Sequence, residues 1–410
     1  MGRRMKVLIG VILIGVLSFL FWKNYERQTR LASAAPLTDS EARTQPSARS
    51  KTNSRSGTTG GDFIGAHPLS SEKLPRDSRV NAAHQLRQAF ELLKQEPLSQ
   101  LKQLNPNSAE FRQKVRELMT TPEFQQWQRL VKEAIAAGNC DWEIDYSQGS
   151  ATILPHLGDL RWSSMILSAL GSLHAESGVA GFQDFSDNFK LISMTSDNQT
   201  LIANLVRSSM LKQCENELSA AVNLKGQTAD DGEEIRNQLQ DQLQDTRIGL
   251  RESFANEFIN GSKILEKMQS GSFDLQTLGG DESLVSLVDD PVRAAIVKAE
   301  FTEATQSFQN ALESANNWQE RLQAAEQLEK ATSKLSPESR ILLASLPALV
   351  NKMANTEAHT QATLASLQIE QFRRQNGRLP ESLAEAGVAI DDPIIAGKLD
   401  YKDGKVEVKK

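Results

Sequence analysis

Two cysteines and five histidines in 410 residues leave little material for a metal or thiol centre. His156 and His174 stand eighteen positions apart, and no H-E-x-x-H or C-x-x-C accompanies them, so zinc-ligand spacing is missing. A surplus of positive charge is missing too. The net charge is -6 and the pI is near 5.6, which excludes the basic footprint that nucleic-acid backbones attract. There is no G-x-x-x-x-G-K-[ST] and no strand-borne G-x-G-x-x-G to cradle phosphates; the Gly-rich "TTGGDFIG" belongs to a linker. Strands are scarce, and no fixed-period repeat supports a solenoid. What remains is a globular balance, 39% hydrophobic and 24% charged, on a chain long enough to bury a core.

The long apolar run "VLIGVILIGVLSFLFW" follows Arg3, Arg4 and Lys6 and closes on Phe21 and Trp22 before "KNYERQTR". Basic residues on its N-terminal side and aromatics at its end predict a transmembrane anchor within residues 1–30, inserted with its N-terminus in the cytoplasm. The run is short for a hydrocarbon core of about 30 Å, so Lys6 and Lys23 would snorkel. The rival reading is a cleaved signal peptide, with "ASA" at Ala32 to Ala34 as the small-residue site and a mature chain starting at Ala35. Both readings place the rest of the chain outside the cytoplasm, on the extracytoplasmic face of the inner membrane if the anchor is retained. Residues 31–79 are Ser, Thr, Gly, Pro and scattered charge without apolar periodicity, which predicts a disordered linker acting as a tether.

Beyond the linker the pattern predicts a mainly α fold, with a large helical domain over 80–376 and a small C-terminal turn and β-hairpin over 377–410. In the first helix Leu86, Phe90 and Leu93 share a face. The next strong signal has Thr121 as N-cap, Pro122 at the first position, Phe124, Trp127, Val131 and Ile135 as the stripe and Gly138 as the stop. Long, wetter segments of the helical region run from Asp230 to about Gln269 and from Pro291 to about Lys334, and Pro347 is expected to kink or split the last helix. "DWEIDY" with "SATIL" could pair as a short ribbon. Asp403-Gly404, between Leu399–Tyr401 and Val406–Val408, predicts a type I′ hairpin.

The stretch "NCDWEIDYSQGSATILPHLGDLRW", Asn139 to Trp162, concentrates the reactive side chains. A Cys-His reading would pair Cys140 with His156 or His174 and Asp145 or Asp159, but the surroundings of Cys-His enzymes are absent. "SQLK" at Ser99 to Lys102, "SMLK" at Ser209 to Lys212 and "SDN" at Ser186 to Asn188 and Ser196 to Asn198 mimic penicillin-binding signatures, yet no K-T-G follows. We therefore expect no catalytic residue, no cofactor and no metal. Cys140, Asp141, Asp145, Pro155, His156 and Arg161 are expected to form a structural junction, Arg161 pairing with Asp145 or Asp159. In an oxidising compartment Cys140 and Cys214 are candidates for a disulfide; buried thiols are the alternative.

In "LASLQIEQFRRQNGRLPESLAEAGV" Gly377 supplies a left-handed cap after Asn376, Pro380 forbids continuation, Leu379 and Leu383 fold back on the helix, and "PESL" opens a short second helix. Asn376, Gly377, Pro380, Ser382 and Leu383, followed by Asp392-Pro393, Gly397 and Tyr401, resemble the tail of an uncharacterised family of membrane-anchored bacterial envelope proteins. The turn is similar to that of type II secretion pseudopilins, although the N-terminus lacks their G-F-T-L-x-E signature. The Cys140 to Arg161 stretch resembles a second landmark of the same envelope proteins, matched by Cys140, Asp141, Asp145, Gly149, Leu154, Pro155, His156, Leu157, Leu160 and Arg161. The resemblance implies an exported, mostly helical, membrane-tethered protein and brings no catalytic residue with it. The function expected is a non-catalytic interaction or scaffold role with a protein partner in the envelope. The alternatives are a hydrolase of envelope polymer using Glu143, Asp145 and His156, and a pseudopilin-like assembly subunit.

Overall fold

The computed structural model describes residues 81–144, 154, 156–178, 181–195, 200–222, 229–270, 287, 290–343 and 346–409. The anchor expected in 1–30 and the linker expected in 31–79 lie outside the described residues, as do Asp145, Pro155 and positions 150–153 of the expected ribbon. Among the described residues no helix is long and apolar enough to cross a membrane.

The fold is mainly α. Three capped helices come first: α1 (Ala82–Leu92), α2 (Ala109–Leu118) and α3 (Pro122–Ala137), with a 3-10 turn at Leu98–Gln103. Asn81, Ser108 and Thr121 each accept a hydrogen bond from a backbone N–H in the first turn that follows. Pro122 opens α3, and Gly138 ends it at φ 71, a left-handed conformation that costs glycine nothing. Leu86, Phe90, Leu93, Phe124, Trp127 and Val131 are all buried, as their spacing predicts.

Helices α4 (His156–Glu176), α5 (Phe182–Ser193), α6 (Leu201–Val222) and α7 (Ala229–Gln269) follow. The long, wetter segment from Pro291 holds two helices, α8 (Pro291–Ser314) and α9 (Trp318–Thr332). Asn317 caps α9 through the Glu320 N–H, while the Glu320 carboxylate accepts from Asn316 N at 2.6 Å, so the break has its own hydrogen bonds. Pro337 opens α10 (Pro337–Leu343), and α11 (Leu346–Asn376) has Pro347 in its first turn, where the missing N–H costs nothing. The chain closes with α12 (Pro393–Lys398), β1 (Leu399–Lys402) and β2 (Lys405–Val408).

These elements enclose two apolar cores. The first gathers α1 to α6 with Ile235, Leu239 and Leu243 of α7 and Leu364 and Leu367 of α11. The second gathers Leu250 to Met268 of α7, α8, α9 and Leu346 to Ala358 of α11, together with Ile395 of α12. Helices α7 and α11 thus thread both cores. They run antiparallel, because Arg236 bonds Gln371 near one end and Arg247 pairs with Glu357 further along. Helix α6 lies beside α11 in the same direction, tied at Ser208–Met353, Glu215–Thr360 and Ser219–Thr363.

A polar belt crosses the three helices where one core gives way to the other. Arg207, almost wholly buried, donates from Nη2 to Gln242 at 2.7 Å and to Asp245 at 3.0 Å, and Asn204 Nδ2 reaches the Gly249 carbonyl at 3.1 Å. A buried guanidinium is tolerable only when such acceptors meet it.

At the C-terminus α11 stops at Gly377, φ 69. Residues 381–387 form turns instead of the expected short helix. The single turn begun at Ser382 is closed at once by Gly387, φ 74, with Val388 N bonded back to Leu383 O. Leu379, expected against the helix, lies over Gly404, where a Cβ would stand 2.7 Å from its Cδ2. Asp403 and Gly404 have φ 51 and 79, the type I′ geometry that the Asp-Gly pair predicts, and Leu399 pairs with Val408 across the ladder.

Candidate functional site

The chemistry-rich stretch after α3 fastens that helix to its neighbours. Asn81 does two jobs: besides capping α1, its side chain donates to Asp141 O at 2.8 Å and accepts from Asp141 N at 3.0 Å. Arg87 donates to the Trp142 carbonyl at 2.8 Å and pairs with Glu143 at 3.3 Å. The Asp141 carboxylate accepts from Glu143 N, which helps to hold Glu143 at φ 55. Trp142 is buried between Phe90 and His156, its ring 4.1 Å from the imidazole at 15°, and its Nε1 donates to Met194 O at 3.2 Å. Burial in this stack, with Arg87 nearby as a second cause, holds His156 down to about 4, so the ring is neutral at pH 7.

The expected pairing of Arg161 with Asp159 is not what the structure holds. Asp159 pairs with Lys102 at 2.6 Å, and Arg161 lies close enough to Lys352 to lower its pKa; Asp145, the other expected partner, lies outside the described residues. The candidate disulfide is not formed: Cys140 and Cys214 are both buried thiols. Cys214, on α6, has Ser168 and Asn188 as hydrogen-bonding neighbours, and burial pushes its thiol well above the usual range, so it is protonated. Among the described residues, the members of the hydrolase and penicillin-binding sets have separate partners. Glu143 is on Arg87 and His156 is in the aromatic stack, while Asp145 is outside the described residues. Ser99 bonds Glu96 whereas Lys102 bonds Asp159, and Asn188 bonds Ser164 O and Ser168. Among the described residues no three His, Cys, Asp or Glu side chains are grouped to hold a metal ion.

The C-terminal turn residues serve the hairpin. The Tyr401 hydroxyl donates to the Pro380 carbonyl at 2.6 Å. Asp392 accepts from Ile394 N and Ile395 N with one oxygen and from Trp318 N with the other, at 2.7 Å, so α9 and α12 begin on one carboxylate.

The group of ionisable side chains that sequence reasoning passed over lies in the seam between α6 and α11. Ser208, Lys212, Glu215 and Ser219 fall at helical spacing on α6, and Lys352, Thr356, His359 and Thr363 do so on α11. Glu215 is fully enclosed. Its Oε1 accepts from the Thr360 hydroxyl at 2.5 Å and its Oε2 has no hydrogen-bond partner. Burial pushes its carboxyl up to about 8, against the opposing pull of Thr360 and Lys212. Burial likewise holds Lys352 down to about 8, helped by Lys212 and by Arg161 of α4, and holds His359 down to about 4, helped by Lys212. The visible signal was a break in the apolar stripe of "LVNKMANTEAHTQATLASL" by Lys, Thr and His at one face.

No family model, curated protein or solved structure matches the chain. The envelope-protein resemblance therefore stands on the quoted residues alone.

Proposed function

We propose that the protein is a single-pass envelope protein, its N-terminus in the cytoplasm, its helical cores held outside by a linker, and its role a non-catalytic interaction or scaffold function. The observation that carries this reading is the fastening of Asp141, Trp142, Glu143 and His156. Asp141 is bound by Asn81, Trp142 and Glu143 by Arg87, and His156 by the Trp142 ring, so these side chains join α1, α3 and α4. The basic and aromatic flanks of the N-terminal apolar run support the anchor.

The test is cross-linking of the full chain in its native membranes, with identification of what co-purifies. Cutting the chain after Gly377 would uncover the second core, since Ile395 and Leu399 are buried. Charge reversal of Lys402 and Lys405 on the exposed hairpin is the cleaner comparison. A reproducible protein partner supports the proposal, and its loss in that variant puts the partner on the hairpin. A folded, membrane-bound chain with no partner overturns it. Recovery of a soluble chain starting at Ala35 overturns the anchor separately.

A further inference from the structure

We propose that Arg251 of α7 and Arg321 of α9, set beside the Arg247–Glu357 pair, form a docking face for a short acidic segment of a protein partner. The inference deepens the scaffold reading, on which it rests, by naming the face and the chemistry of what it holds.

The placement starts on α7. Arg247 and Arg251 are four residues apart and share one face of that helix. Arg247 grips the buried Glu357 carboxylate of α11 with Nε, at 2.9 Å, and with Nη2. Arg321, one turn into α9, lies over the Trp318 ring, 5.0 Å from its centre. That ring is buried and the Trp318 N–H is held by Asp392, so the guanidinium rests on a fixed base. Burial is the first reason that Arg321 sits below the ordinary arginine range; Arg247 and Arg251 add to it, against Glu357 and Asp392. Arg321 is thus within the field of all four.

The charges here do not balance. Arg247 takes both oxygens of Glu357, and Asp392 is occupied by the backbone N–H groups of Trp318, Ile394 and Ile395. Arg251 is exposed and Arg321 half-buried, and among the described residues neither donates a hydrogen bond or joins an ion pair. Like charges held close together cost stability, and an opposite charge brought from outside relieves that cost.

The donors narrow the occupant. A guanidinium is a planar fork that meets a carboxylate with two parallel bonds, and Arg247 on Glu357 makes that match beside the face itself. A segment with neighbouring carboxylates offers one to each of Arg251 and Arg321. The net charge of -6 opposes an extended polyanion or an anionic bilayer, whereas a short segment in physiological salt feels only the charge within about 8 Å.

The full chain in uncharged detergent micelles is titrated into fluorescein-labelled hexaglutamate or hexaglutamine and followed by fluorescence anisotropy. Hexaglutamate is expected to bind, more weakly as salt rises, and hexaglutamine is not. Arg251→Glu sets a carboxylate near Arg321; it is expected to weaken hexaglutamate binding about tenfold or more and to leave the melting temperature unchanged or higher. Arg251→Lys keeps the charge and is expected to retain most of the binding, and Lys402→Gln with Lys405→Gln on the hairpin to retain all of it. No binding of either peptide, equal binding of both, or undiminished binding in Arg251→Glu overturns the proposal. So does a melting temperature that falls in both Arg251 variants, which makes the side chain structural, or binding to phosphatidylglycerol vesicles in place of the peptide. Each of these results leaves the scaffold reading standing, since that reading falls only if native membranes yield no partner.

Discussion

One side of the first core is closed by chain that lies close to it in sequence, whereas the second core takes a closing residue, Ile395, from α12 far along the chain. At the first, Trp142 sits between Phe90 and His156 and reaches Met194 O, so the closing piece follows α3 directly. At the second, Phe254, Phe258, Phe301 and Phe308 meet largely edge to face, and Ile395 joins the same core from α12, whose start is tied to α9 by Asp392 on Trp318 N. Local sealing makes a core depend on its own neighbourhood. Distant sealing makes it depend on a hydrogen bond spanning more than seventy residues, Trp318 to Asp392.

The largest effects test whether the two cores are separable at all. Trp127→Ala in the first and Trp318→Ala in the second should each cost about 3–5 kcal/mol. Because α7 and α11 thread both cores, each variant should keep a single unfolding transition by circular dichroism and by fluorescence. Two resolved transitions would break the comparison.

Acid should act on the first core through His156. Its pKa is about 4 in the fold, against about 6.5 unfolded, so its contribution is complete above pH 6.5 and is lost as the pH falls towards 4. The loss amounts to at most about 3 kcal/mol. His156→Phe, which keeps the stack but cannot titrate, should flatten the stability-against-pH slope in that window; an unchanged slope would dismiss the stack as the cause. His174, raised by its hydrogen bond to Asp184, works in the opposite sense: it stabilises below about pH 6.5, and that contribution fades as the pH rises through its folded value.

Asp392→Ala strips three backbone N–H groups of their acceptor and should cost about 1–2 kcal/mol. Hydrogen exchange should quicken at 393–409 and at the start of α9 while α1 to α4 are unaffected; uniform quickening would contradict distant sealing. Gly377→Ala, at φ 69 with open space around it, should cost about 1 kcal/mol by strain alone, read in a thermal melt. At the bottom of the scale, a reducing agent should leave the melting temperature unchanged, because Cys140 and Cys214 are thiols.

The N-caps at Asn81, Ser108 and Thr121, the stop at Gly138 and the Asp403-Gly404 turn are local chemistry, which is why the helices and the hairpin are legible in the sequence. The division at Asn316-Asn317 depends on Glu320 reaching back, a signal that a periodicity reading runs across. The two cores are harder to foresee, because the same helices line both. Their boundary shows only as polar interruptions at Arg207-Ser208, Asp245–Arg247 and His359-Thr360, far apart in sequence and adjacent in space. The ionisable seam shows in the sequence only as the Lys, Thr and His that interrupt the α11 stripe, because Glu215 and Thr360 each look like an exposed helix residue until the other arrives.

The threading of α11 through both cores bears on how the molecule is made. Leu349, Val350 and Met353 complete the second core, and Leu364 and Leu367 of the same helix complete the first. During synthesis, neither core can be completed until α11 has emerged. Until then the helices before it keep part of their apolar faces uncovered, and α11 acts as the latch for both cores.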